Sequence, residues 1–243
     1  MRIHSILPVT TMAPCMELEQ LRKRVYPSIQ LTQSTLRTGP AAIESERDIG
    51  LAVPGVVRAA IEAEHRGVDA VVINCMADPG LLAARESVRI PVVGPAQAAI
   101  ALATQVSDRF AVIGTTARDV PMNRELWRRY GVEAQGAGVR IVDVPVLDLI
   151  TPGADVLGRM VSACVRAVED DGAGAVIFGC NYMSPMREDL VRAVAEEGLD
   201  GLPIIDPLAT AFHTAELLAF QGVAQSRVTW PSVGADSATA TAC

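Results

Sequence analysis

Aromatic side chains are scarce, at 4% of a chain of 243 residues that is half hydrophobic. The core must therefore be built mostly of Val, Ile, Leu and Ala, a composition that suits parallel sheets covered by helices. Positive charge is thin as well. The 21 basic residues are outnumbered by 28 acidic ones, the net charge is −7, and no block of Lys and Arg occurs. Nucleic acid and an anionic membrane surface are thereby disfavoured as partners. Long apolar runs are missing too: Ala175–Phe178 is far too short to span a bilayer. At the N-terminus His4, Pro8, Thr10 and Thr11 interrupt any signal-peptide core, although Cys15 follows small residues, so the expected location is cytoplasmic. No Cys-x-x-Cys occurs among five widely spaced cysteines at 15, 75, 164, 180 and 243, which argues against a disulfide framework or a zinc site. His4, His65 and His213 lack partners at metal-ligand spacing and read as packing or surface residues; no metal is expected. The glycines of "GAGVR" (136–140) lack the strand-to-helix context of a phosphate loop.

What is present is alternation. Strands are expected at Arg2–Leu7, 28–34, Val68–Ile73, 91–93, Phe110–Ile113, 140–144, Ala175–Phe178 and 202–205. Helices are expected at 17–24, 54–66, 79–88, 96–106, Val120–Tyr130, 154–170, 185–197 and 208–221. Such alternation predicts a parallel α/β architecture. Asp78 reads as the N-cap of the third helix, with Pro79 at its first position. The tail from Ala224 is small and polar and reads as disordered.

The two halves repeat one device. "VVINCMADPG" (71–80) and "AVIFGCNYMSP" (175–185) are apolar runs that end in a cysteine, a turn and a proline. Each is followed by a helix and then by a matching stretch, "PVVGPAQAA" (91–99) or "PIIDPLATA" (203–211). The expected fold is thus two pseudo-symmetric α/β lobes, residues 1–95 with 208–223 and residues 96–207, facing across a cleft. Ligands of open parallel sheets bind at the carboxyl ends of the strands, where Cys75 and Cys180 fall.

A thiol at a strand end just before a helix meets amide N–H groups and the positive end of a helix dipole, which favours the thiolate. Cys164, inside a helical pattern, and Cys15 read instead as small buried hydrophobes. Two thiols across a cleft suit removal of a proton from one face of a carbon and delivery to the other, which is racemisation without a cofactor. Candidate amide donors to the developing enolate follow each cysteine: Met76 and Ala77, and Asn181 and Tyr182. A two-lobed small-molecule binding protein would also use duplicated lobes, but it has no need of paired thiols.

The run "GPAAIESERD…PGVVRAAIEAEHRGVDAVVINCMADPGLLAARE…PVVG", with "AVIFGCNYMSP" in the second half, resembles the hydantoin racemase branch of the aspartate/glutamate racemase superfamily over residues 1–220. The resemblance implies two flavodoxin-like lobes, Cys75 and Cys180 as the acid/base pair, no cofactor, a small-molecule substrate such as a 5-substituted hydantoin or allantoin, and a homo-oligomer. It also implies substrate contacts at the end of the first strand, Pro8 and Thr10, and at Thr115 and Thr116 after the Phe110–Ile113 strand. Two departures stand out: Leu7-Pro8-Val9-Thr10 where the family has Asn-Pro-Asn-Thr, and Asn181-Tyr182-Met183 where it has Ala/Thr-Gly-Met. Amino-acid (Asp/Glu) racemisation, maleate-type isomerisation and malonate decarboxylation are the alternatives within the superfamily. The last uses one cysteine only. Gly39-Pro40 and Glu44-Ser45 read either as a cleft-covering loop or as a surface turn.

Overall fold

The computed structural model describes residues 1–12, 18–153 and 155–231. Strand and helix alternate throughout: β1 (Arg2–Leu7), α1 (Leu18–Arg22), β2 (Gln30–Thr35), α2 (Glu46–His65), β3 (Ala70–Ile73), α3 (Leu81–Ser87), β4 (Val92–Val93) and α4 (Pro95–Val106) make the first set. The second set is β5 (Phe110–Gly114), α5 (Asp119–Tyr130), β6 (Gly136–Ile141), α6 (Val156–Glu169), β7 (Ala175–Phe178), α7 (Arg187–Glu196), β8 (Ile204–Ile205) and α8 (Pro207–Phe220). Two parallel four-stranded sheets result, ordered β2-β1-β3-β4 and β6-β5-β7-β8. The second order is the first shifted by four strands, so the repeat visible in the sequence is a repeat of topology. It is also the order of the first four strands of flavodoxin-like folds.

The lobes exchange their last helices. Helix α4 follows the first sheet, yet its Ala96, Ala99, Ile100 and Ala103 pack with Phe110, Val112 and Ile177 of the second. Helix α8 follows the second sheet and returns to β3, β4 and β1 of the first, burying Leu208, Ala211, Phe212 and Ala215. The central strands β3 and β7 are buried at every residue, as strands covered on both faces must be.

Each exchanged helix is capped by one buried carboxylate, delivered differently in the two lobes. In the second, Asp206 is itself the N-cap of α8; its Oδ1 accepts from the Leu208 and Ala209 amides and from Ser184 Oγ, and its Oδ2 meets Arg24 at 2.7 Å. In the first, the cap position of α4 is Gly94 and the carboxylate comes from Asp78 in the cysteine loop. Asp78 Oδ1 accepts from the Ala96 amide, and Oδ2 from the Gln97 amide and from Tyr130 Oη at 2.6 Å. A Cβ at position 94 would lie 2.4 Å from Asp78 Cγ, so only glycine fits there. The sequence expectation that Asp78 caps its own helix is therefore corrected: α3 has Gly80 as its cap, and Asp78, at φ 46°, is turned toward α4.

Three further expectations differ. Helix α2 begins eight residues before Pro54, because Ser45 and Asp48 cap it reciprocally: the Ser45 hydroxyl accepts from the Asp48 amide and donates to its carboxylate at 2.7 Å. Strand β6 occupies 136–141 rather than 140–144. Its Gly136 and Gly138 sit where a Cβ would strike the Trp127 ring and Asp171, so glycines that read as loop mark close approach. The tail is held over 224–231: the Gln225 amide pairs with both backbone groups of Val92, and Arg227 donates to the Arg85 and Val88 carbonyls. Residues 232–243, with Cys243, and Cys15 lie outside the described residues. None of the described helices is long and apolar enough to cross a membrane.

Candidate active site

Strand β3 ends in a tight turn in which the Cys75 amide donates to the Ile73 carbonyl and the Asp78 amide to the Cys75 carbonyl. Strand β7 ends at Gly179-Cys180, and the chain then winds into a 3-10 turn, Asn181–Met186. Both cysteines open on one pocket that lies at the carboxyl ends of β1, β3, β5 and β7, the two central strands of each sheet. Neither cysteine forms a disulfide, and Cys164 is fully buried in α6, as its helical pattern suggests.

Eight of the ten residues singled out from the sequence meet at this pocket: Pro8, Cys75, Met76, Ala77, Thr115, Cys180, Asn181 and Tyr182. Thr10 and Thr116 do not line it. Thr10 is exposed, and its amide and hydroxyl both donate to the Pro40 carbonyl, which pins the following loop to the end of β1. Thr116 is half-buried, and its carbonyl accepts from the Asp119 amide. Tyr182 lines the pocket and is buried against the hydrophobic core.

The structure adds Asp119 and Asn74, which carried no functional signal in the sequence. Asp119, in the first turn of α5, places a buried carboxylate on the pocket wall and accepts from the Thr115 amide and, at 2.9 Å, from the Thr115 hydroxyl. The Thr115 proton is thus committed to Asp119. Asn74, just before Cys75, accepts from Asn181 Nδ2 at 2.7 Å, so one amide pair bridges the two cysteine loops. Ala42 and Ile43 cover the pocket from the first lobe, and Glu44 beside them accepts from the Val146 amide of the second at 2.7 Å. Segment 39–45 is therefore a cleft cover. Leu7, Val9, Met122 and Val146 complete an apolar wall.

Burial pushes the Cys75 thiol up to about 12; the Ala77 amide opposes this, and the Asp78 and Asp119 charges reinforce it. The sequence expectation of a thiolate-favouring site is reversed here. The amide donor is present, but desolvation of the anion and two nearby carboxylates outweigh it. Burial also raises Asp119, against the amides of Thr115 and Thr116 and the Thr115 hydroxyl. Among the described residues no cluster of three or more His, Cys, Asp or Glu is arranged to hold a metal ion.

The geometry has recognisable relatives. The family model for Asp/Glu/hydantoin racemases matches residues 5–215. The chain is 37% identical over 231 residues to the hydantoin racemase of Rhizobium meliloti, covering 94% of this chain and 92% of that one. It is 33% identical over 229 residues to the hydantoin racemase of Pseudomonas sp. (strain NS671), covering 94% and 90%. Among solved structures, the allantoin racemase of Klebsiella pneumoniae superposes with a TM-score of 0.87 at 32% identity, over 96% of this chain and 95% of the other. On the family match, these identities and the repeated lobe that carries a cysteine at each central strand end, the chain belongs to the Asp/Glu/hydantoin racemase family.

Proposed function

We propose that the chain is a racemase of a neutral cyclic ureide, a 5-substituted hydantoin, that works through Cys75 and Cys180 without a cofactor. One observation carries this reading. Two thiols from equivalent strand ends share a pocket whose only charged group, among the described lining residues, is the Asp119 carboxylate. With no Lys, Arg or His on that wall, a free amino acid, a maleate or a malonate would bring its own carboxylate toward Asp119 without a counter-charge. A hydantoin is neutral, presents N–H groups, and carries an acidic C5–H beside a carbonyl. The hydantoin racemase relatives support the same choice.

In the proposed reaction one sulfur, as thiolate, takes the C5 proton, and the C–H electron pair moves into the C4 carbonyl to give an enolate. The other sulfur, as thiol, delivers its proton to the opposite face of C5. The two cysteines end with exchanged protonation states, which are those needed by the opposite enantiomer. Backbone amides of the turns that follow the cysteines favour the enolate. Ala77 is less suited than the sequence implied, since its amide already serves the Cys75 sulfur.

The test is incubation of enantiopure 5-substituted hydantoins, aspartate, glutamate and maleate in deuterated water, followed by polarimetry and NMR. Loss of optical activity with deuterium at C5 is expected for a hydantoin only. Cys75→Ser and Cys180→Ser should each lower that rate by about 100-fold or more, the usual scale for removing a general acid or base. Turnover of a carboxylate substrate alone would reject the ureide reading. Near-native racemisation by either serine variant would reject the two-thiol reading.

A further inference from the structure

Asn181, directly after Cys180, is 4% exposed and lines the pocket. Its Nδ2 is committed to Asn74 Oδ1 across the cleft. That bond fixes which way the amide faces and leaves Oδ1 buried with no hydrogen-bond partner. A buried carbonyl oxygen without a donor is destabilising, and such atoms are rare in folded proteins. Two donors beside it are committed elsewhere. Asn74 Nδ2 goes to Ser5 Oγ at 3.3 Å, and the Thr115 hydroxyl goes to Asp119. Together with the Asp119 carboxylate, the second lobe offers hydrogen-bond acceptors to whatever occupies the pocket. A ligand that presents an N–H toward this wall would satisfy the orphaned oxygen; a ligand that presents a carboxylate or a carbonyl there would not.

We propose that Asn181 Oδ1 accepts a hydrogen bond from a ring N–H of the substrate and thereby selects ureides that carry this N–H over their N-alkylated analogues. The inference rests on the reading of the chain as a hydantoin racemase and goes beyond it by assigning a specificity residue. The Asn181–Asn74 bond gives the acceptor its aim. It also couples substrate recognition to the spacing of the two cysteine loops, because the residues it joins adjoin Cys75 and Cys180.

The test compares three enantiopure substrates, a 5-substituted hydantoin and its N1-methyl and N3-methyl forms, on the wild type, Asn181→Leu and Asn181→Asp. Leucine keeps the bulk and removes the acceptor, whereas aspartate keeps an acceptor oxygen but gives up the donation to Asn74. For the wild type, kcat/KM is expected to fall roughly 10- to 100-fold for one of the two methylated substrates, the range for leaving one buried acceptor unpaired. In Asn181→Leu that preference should collapse to within about threefold, because the parent hydantoin loses the same contact. In Asn181→Asp it should persist. Equal turnover of all three substrates by the wild type, or an unchanged preference in Asn181→Leu, overturns the inference and leaves the hydantoin reading standing. A wild type that racemises no hydantoin overturns both.

Discussion

At the scale of single residues, Cys75 is where physical context matters most. A thiol held near 12 by burial is almost wholly protonated at neutral pH. Below that value its thiolate fraction rises with pH and does not level off. Alkylation of Cys75 by iodoacetamide in the unliganded protein should therefore rise about tenfold per pH unit between about pH 7 and 10. A rate that levels off near pH 8.5, measured by mass spectrometry at this site, would mean an ordinary thiol and would contradict the burial argument. A group that holds its proton so firmly also makes a strong base once the proton is gone, which is what a weakly acidic C–H requires. That Cys75 would sit at the end of a central strand, on the pocket, was legible from its place after an apolar run; its proton affinity was not. The local turn presents a favourable amide together with the opposing Asp78, while the desolvation that dominates, and Asp119 from the second lobe, come only with the folded chain.

At the scale of elements, the two helix caps test how the duplication diverged. One half keeps the carboxylate at the cap itself, Asp206, and the other keeps it in the cysteine loop, Asp78, opposite Gly94. Gly94→Asp alone should be strongly destabilising, by about 3 kcal/mol or more, because it places a side chain on a carboxylate pinned by three hydrogen bonds. Combined with Asp78→Ser it should recover much of that loss, since the pair then reproduces the Asp206–Ser184 arrangement. Urea unfolding of the two single variants and the double variant gives the coupling directly; additive losses would show that the two caps are not interchangeable. The sequence already contained "VVGP" beside "IIDP", but the reason for Gly in one and Asp in the other appears only when the 78–80 loop is laid over α4. The start of α2 shows the reverse case. Ser45-x-x-Asp48 is a local capping signal that outweighs Pro54, and it could have been read without the fold.

At the scale of the whole molecule, the cleft is tied across its opening. Glu44 of the first lobe accepts from the Val146 amide of the second, and Ala42 and Ile43 beside it close over the pocket. Glu44→Ala removes this clasp. It should raise KM for a hydantoin by about 5- to 10-fold with a smaller change in kcat, the pattern of lost binding that ground and transition states share. Glu44→Gln keeps an acceptor oxygen and should stay near the wild type. An unchanged KM in Glu44→Ala, or equal losses in both variants, would show that the clasp does not bear on substrate retention. Hydrogen exchange that quickens in segment 39–45 of the alanine variant would place the effect in the cover itself.

The parallel α/β class, the duplication, and the placing of Cys75 and Cys180 at equivalent strand ends were legible in the residues alone. Each of these follows from local composition and period: buried β-branched runs, helical spacing between them, and a turn after each cysteine. The rest of the site depends on how the folded chain brings its segments together. Asp119 lies only four residues from Thr115, but the fold alone sets its carboxylate on the same pocket wall as Cys75 of the other lobe. Thr10 read as a substrate contact until the 39–45 loop took its hydroxyl. The Asn74–Asn181 bond joins residues 107 positions apart. Hydrogen-bond partners, desolvation and through-space charge are set by which distant segments are neighbours, and no window of the chain short enough to read by pattern contains that information.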